Sequence, residues 1–348
     1  MAKPDVFDRF TPTARCLPWI VLATLLPACG GAPTSPDPPV PAPALTCPAD
    51  VQALAHLGQS PVVTFDTPVP TGGVAPVSTV CTPASGTSFP LGTTRVTCTA
   101  TDSRGSSGAC GFTVIVSAVP VLSSVRFVAF GDSITEGTTS PDPTTLLLSL
   151  TESYPYKLQA LLSARYIDQT VVVLNRGRAG ERVSSGVTRL PGVLNADKPQ
   201  VLLLLHGAND LLGAASSGSF DAAIGRIITG LEDMIGIARR RGVRVMLANF
   251  PPQNPNGSRG GGAEAVVELN NEIAALASDR GIALVDLFGG LNGTPTGSIG
   301  VDGLHPTDAG YTKIANIWYE AIRRVYEQPG GPASAGEPPR LVVDPERP

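Results

Sequence analysis

The sequence predicts a three-layer α/β/α domain with a parallel sheet, preceded by a small β-sandwich. Three observations carry this. Between residues 45 and 118, short β-branched runs alternate with Gly and Pro turns, with no helical periodicity. From Val125 onward the pattern switches to strands alternating with helices. The run Val201-Leu202-Leu203-Leu204-Leu205 is apolar throughout, as a strand covered on both faces must be. At 348 residues the chain is long enough for two such domains of about 100–200 residues each.

The first 28 residues read as an export signal. Lys3, Arg9 and Arg15 precede an apolar stretch over 17–26, far shorter than the ~18–20 apolar residues that span a bilayer. Leu26-Pro27-Ala28-Cys29-Gly30 resembles a bacterial lipobox, which implies that Cys29 is acylated and becomes the mature N-terminus. The expected location is a membrane-anchored lipoprotein facing the periplasm or cell surface, the alternative being a secreted protein. Residues 29–46 follow as a linker, with six prolines between Gly30 and Thr46, a composition that favours extended chain over a packed core. Residues 328–348 hold six prolines and three glycines and are expected to be a disordered tail.

Strands in the small module are expected at 62–65, 95–100 and 112–116. Cys47, Cys81, Cys98 and Cys110 all fall within it, and none follows. Four cysteines in a small exported module imply two disulfides with three possible connectivities. Cys47–Cys98 with Cys81–Cys110 is slightly favoured. The runs Cys47-Pro48-Ala49-Asp50, Cys81-Thr82-Pro83, Val96-Thr97-Cys98-Thr99-Ala100-Thr101-Asp102 and Cys110-Gly111-Phe112 resemble a hyalin-repeat (HYR) module. That resemblance implies an immunoglobulin-like spacer over 45–118. The short connector 117–120 is expected to leave few contacts between this module and the next.

In the second module, assigned to 122–327, strands are expected at 125–130, 170–174, 201–205, 243–249 and 282–287. Helices are clearest at 220–241 and 263–280, and a last one is expected at 307–326 with Tyr311, Ile314, Ala315, Trp318, Ile322 and Val325 on one face. Ligands in such sheets bind beyond the carboxyl ends of the strands. The first strand runs into Gly131-Asp132-Ser133-Ile134, the second into Asn175-Arg176-Gly177-Arg178-Ala179-Gly180-Glu181, and the third into Gly207-Ala208-Asn209-Asp210. Asp302-Gly303-Leu304-His305-Pro306 opens the last helix. Each is weak singly, but four in this order at strand ends are specific.

This set resembles the GDSL esterases and lipases, or SGNH hydrolases, over about 200 residues. The resemblance implies a flavodoxin-like fold and a carboxylic ester hydrolase. Its catalytic residues would be Ser133, Asp302 and His305, and its oxyanion hole Ser133, Gly180 and Asn209. A hydroxyl is a poor nucleophile until a base takes its proton, and His305 alone here follows an acid at a helix start. Asp132 and Asp210 read as loop braces. His206 stands where an apolar or small residue is expected; it reads as a satisfied core histidine, with cleft contact as the alternative.

No G-x-S-x-G elbow, phosphate-binding loop or H-E-x-x-H occurs, so neither the common α/β-hydrolase site, a nucleotide nor a metal is expected, and no cofactor. A net charge of −4 argues against nucleic acid as partner. The expected substrate is an ester, with deacetylation of an extracellular glycan slightly favoured. Hydrolysis of acyl lipids as a lipase or lysophospholipase is the alternative, and an adhesion protein with a degenerate hydrolase domain the rival from another class. Residues 138–150 and 251–262 lie on the cleft side; Leu146, Leu147 and Leu148 either line an acyl groove or, the reading preferred, begin a buried helix.

Overall fold

A computed structural model describes residues 39–329 apart from 57, 143, 216 and 217. The export signal, Cys29 and most of residues 328–348 lie outside the described residues.

Six strands form the first module: β1 (Val51–Ala55), β2 (Val62–Val63), β3 (Ser78–Thr82), β4 (Thr87–Ser88), β5 (Gly92–Thr101) and β6 (Ser107–Ala118). One sheet runs β1-β6-β5-β3, with β1 parallel to β6 and the other pairs antiparallel; β2 and β4 form a separate ribbon. Along β5, Val96, Cys98 and Ala100 are buried while the threonines between them are exposed, the period-two signature of a half-buried strand. Phe112, Val114 and Val116 of β6 bury the same face. Val63 of β2 and Phe89, just past β4, complete the cluster from the second layer, and Phe65 stands edge-on to Phe112 at 4.8 Å.

The disulfides are Cys47–Cys110 and Cys81–Cys98, not the favoured alternative. Register explains the correction. Cys98 lies opposite both Cys81 on β3 and Cys110 on β6, so strand pairing alone admits either partner. Val51 of β1 pairs with Val114 of β6 in parallel, and stepping back four residues on each strand brings Cys47 beside Cys110. Cys98 is then left to Cys81.

The second module begins with β7 (Val121–Leu122), β8 (Arg126–Gly131), α1 (Ser133–Glu136), β9 (Thr138–Thr139), β10 (Leu147–Leu148), α2 (Tyr154–Arg165) and β11 (Val172–Gly177). It continues with α3 (Val183–Asp197), β12 (Val201–Leu205), α4 (Ala208–Ala215), α5 (Phe220–Arg239), β13 (Arg244–Ala248) and α6 (Ala263–Asp279). It closes with β14 (Ala283–Val285), α7 (Leu287–Gly290), α8 (Asp308–Tyr326) and β15 (Glu327–Gln328). The five-stranded sheet is parallel in the order β11-β8-β12-β13-β14. The chain steps one way from β8 to β11, then returns past β8 to β12. Right-handed crossovers therefore put α2 on one face and α3, α5 and α6 on the other. α8 packs beside α2, and α3 beside α5. The three-layer fold is as expected, in the flavodoxin-like order.

Helices α2 and α3 are not among those the sequence pattern names; α3 hides behind an internal Pro191 and two glycines. Val325 is exposed, and Tyr326 takes its place in the core against Phe127. The leucines of residues 146–148 do not begin a helix. Leu147 and Leu148 form β10, which pairs with β9 as a short hairpin, and their side chains are exposed.

The connector is anchored at its second-module end, and both modules belong to one compact unit. Val119 is buried, and β7 pairs antiparallel with β15. Gln169 bonds both the N–H and the carbonyl of Leu122. His56 Nδ1 of the first module lies 2.7 Å from Asp168 Oδ1 of the second.

Candidate active site

Three loops at the carboxyl ends of β8, β11 and β12 meet where the strand order reverses, the position at which open α/β sheets bind ligands. Asp132 caps α1 through Oδ1 to the Ile134 N–H, while its Oδ2 accepts the Ala208 N–H at 3.1 Å. One carboxylate thus ties the loop bearing Ser133 to the loop bearing Asn209. Asp210 Oδ2 accepts the Val183 N–H at 2.9 Å, joining that loop to the start of α3. Both aspartates brace backbone, as expected.

Ser133 Oγ lies 2.8 Å from His305 Nε2, and His305 Nδ1 lies 2.5 Å from Asp302 Oδ2. All three side chains are buried. The other carboxylate oxygen of Asp302 accepts the N–H groups of Leu304 and His305 at 3.1 and 3.0 Å. Burial pushes the Asp302 carboxyl up, but the His305 ring and these amides outweigh it and hold its pKa below the ordinary value. The turn between acid and base requires glycine: Gly303 has φ +85°, and a Cβ there would sit 2.3 Å from the Asn254 carbonyl oxygen.

The remaining expected residues join the same cleft. Gly180 has φ +73° with open space where a Cβ would point, so glycine serves the backbone conformation there and leaves the cleft clear. Asn209 donates from Nδ2 to the Glu181 carbonyl at 3.0 Å, which fixes the amide plane and leaves its second N–H available. Ser133, Gly180, Asn209 and His305 line a cleft of about 480 Å³. Leu146, Leu147 and Leu148 of the β9–β10 hairpin line it too, as does Arg259. The Arg259 N–H bonds the Asp302 carbonyl at 2.7 Å, and its Nε stands 3.9 Å from Asp302 Oδ2. An activated hydroxyl, a base oriented by a carboxylate and donors facing one cavity are what acyl transfer to and from a serine needs.

Two parts of this arrangement are absent from the sequence reading. Arg259 sits in a Gly- and Pro-rich loop that offers no pattern. Glu181, Arg189 and His206 form a polar cluster in which Glu181 and His206 are buried and Arg189 is partly exposed, with Arg189 Nε 2.7 Å from Glu181 Oε1 and His206 Nε2 3.1 Å from Glu181 Oε2. The unexpected polar residue ahead of Gly207 was its one visible signal. His206 does not line the cleft; it is a core histidine bonded through Nε2, while its Nδ1 has no partner among the described residues.

Residues 39–116 match the HYR domain. Esterase TesA of Pseudomonas aeruginosa is 27% identical over 164 residues, covering 46% of this chain and 75% of that protein. Putative endoglucanase X of Acetivibrio thermocellus is 31% identical over 133 residues, covering 36% of this chain and only 51% of that protein. A lipase/acylhydrolase from Enterococcus faecalis is a structural neighbour at 22% identity and a TM-score of 0.47, covering 58% of this chain and 97% of that one. Residues 129–313, more than half of the sequence, match the GDSL-like lipase/acylhydrolase family, and the chain belongs to that family as a carboxylic ester hydrolase.

Proposed function

We propose that the chain is an exported serine esterase whose nucleophile is Ser133, acting through an acyl-enzyme on esters with an apolar acyl group. What carries the reading is the chain of bonds from Ser133 Oγ through His305 to Asp302, at 2.8 and 2.5 Å, opening into a leucine-walled cleft.

In the first half-reaction His305 Nε2 takes the Ser133 proton as Oγ attacks the ester carbonyl carbon. Asp302 holds the Nδ1–H tautomer and stabilises the imidazolium that forms. The carbonyl oxygen becomes an oxyanion, received by the Ser133 and Gly180 N–H groups and the free N–H of Asn209. Collapse breaks the bond to the alkoxy oxygen, which leaves as an alcohol with the proton from His305. Water then attacks the acyl-Ser133 carbonyl, His305 again taking the proton. A second collapse releases the carboxylic acid and returns the proton to Oγ.

Exposed Leu146, Leu147 and Leu148 favour an acyl chain over an acetyl group, because an apolar wall lowers the free energy of a methylene chain by about 0.8 kcal/mol per buried CH₂. A panel of p-nitrophenyl esters from acetate to palmitate tests this. The expected result is kcat/KM rising from acetate to medium chains, with Leu147→Ser flattening the rise. A profile that peaks at acetate and ignores Leu147→Ser would favour glycan deacetylation instead.

Export is supported by two disulfides and the HYR domain. Acylation of Cys29 is proposed from the sequence alone, and the mass of the mature N-terminus decides it. Among the described residues no helix is long and apolar enough to cross a membrane.

A further inference from the structure

We infer that Glu181, Arg189 and His206 form a largely buried clamp that positions the three proposed oxyanion donors. The inference rests on the serine esterase reading above. None of the three residues lines the cleft, so they act through others and are positioning residues.

Directed bonds carry the argument. Arg189 grips the Glu181 carboxylate with a two-pronged contact, Nε at 2.7 Å and Nη2 at 2.5 Å. The same guanidinium donates to the Arg176 carbonyl at 3.1 Å and the Gly131 carbonyl at 3.4 Å, and lies 4.1 Å over the Phe130 ring. It therefore touches the ends of β8 and β11. Glu181 adjoins Gly180, and its own carbonyl receives the Asn209 amide at 3.0 Å. His206 donates from Nε2 to Glu181 Oε2 and leads directly into the turn that carries Asn209. One cluster thus holds the segments bearing Ser133, Gly180 and Asn209.

Stability alone does not account for this arrangement. A largely buried ion pair often stabilises no more than apolar residues of equal volume would. His206 Nδ1 is buried with no partner among the described residues, a loss that an apolar side chain would avoid. The space for the ring is also made specially: a Cβ on Gly186 would lie 2.6 Å from His206 Nε2. What the charged cluster adds is direction, since the planar fork of Arg189 fixes four acceptors at once.

The test is steady-state kinetics on a p-nitrophenyl ester, with thermal midpoints measured in parallel. Arg189→Lys keeps the charge and loses the fork; kcat should fall about tenfold to a hundredfold with KM within about twofold, as sub-ångström misplacement of catalytic groups does. The double variant Glu181→Gln/Arg189→Met removes both charges and should recover the thermal midpoint without recovering kcat. His206→Leu strands no charge and serves if the others fail to fold: its kcat should drop several-fold, with partial rescue by His206→Gln. Wild-type kcat in the folded double variant, or in His206→Leu, overturns the clamp. Ser133→Ala separates the two claims. If it keeps turning over, the esterase reading falls and the clamp with it; if it is inactive while those variants keep wild-type kcat, only the clamp falls.

Discussion

His305→Ala removes the base that every proton in the proposed cycle passes through, so kcat should drop by several orders of magnitude with the fold intact. Asp302→Ala should cost less, because the acid orients the ring and steadies its charge without exchanging protons. Asn209→Ala removes one of the three proposed oxyanion donors, and a loss of about 10²–10³ in kcat is expected. Initial rates on p-nitrophenyl esters, with near-UV spectra to check folding, measure all three; an Asp302→Ala loss exceeding that of His305→Ala would contradict the assigned roles. Ser133, Gly180, Asn209, Asp302 and His305 were legible because each follows a strand or opens a helix in a short, distinctive run. Arg259 was not. Its contact with Asp302 spans more than 40 residues and depends on how a glycine-rich loop folds back.

At the scale of elements, the five strands of the parallel sheet lie within about three residues of where the sequence put them, since continuous apolar runs leave little choice of register. The β9–β10 hairpin is the reverse case. Three consecutive leucines ahead of a helix read as its buried start, yet the helix begins only at Tyr154 and the leucines face the cleft. An exposed apolar run has the same sequence as a buried one, and function decides which it is. The pairing of Glu181 with Arg189 was likewise illegible, because Arg189 lies in α3, a helix that Pro191 disguises. Burial pushes the Glu181 carboxyl up, but His206 and Arg189 outweigh it and hold it down at about 2 instead of 4.5. A carboxyl lowered on folding contributes stability that is present above about pH 4.5 and lost as pH falls towards 2. Thermal midpoints between those pH values should therefore fall less steeply in Glu181→Gln than in the wild type. Parallel curves would remove Glu181 from the acid response.

Over the whole molecule, the named cleft residues fall between Ser133 and His305, and the disulfides lie before Val121. Chemistry and oxidative bracing are thus segregated along the chain. A truncated protein beginning at Pro120, which keeps β7 whole, should retain kcat on small esters within about twofold. Its thermal midpoint should drop, because it gives up the buried Val119 side chain and, to a smaller extent, the exposed His56–Asp168 bond. Loss of turnover in a truncated protein with a native near-UV spectrum would show that the β-sandwich completes the cleft. Reduction should destabilise the sandwich by ~2–5 kcal/mol per disulfide without stopping turnover. The claim on which all of this depends is that the acyl group passes through Ser133 Oγ. Intact-protein mass spectrometry after exposure to a fluorophosphonate, followed by peptide mapping, addresses it directly. The account predicts a single adduct on the peptide containing Ser133, absent in Ser133→Ala, with ester hydrolysis lost in step with labelling. An adduct on another residue, or full turnover from a protein labelled at Ser133, would contradict it.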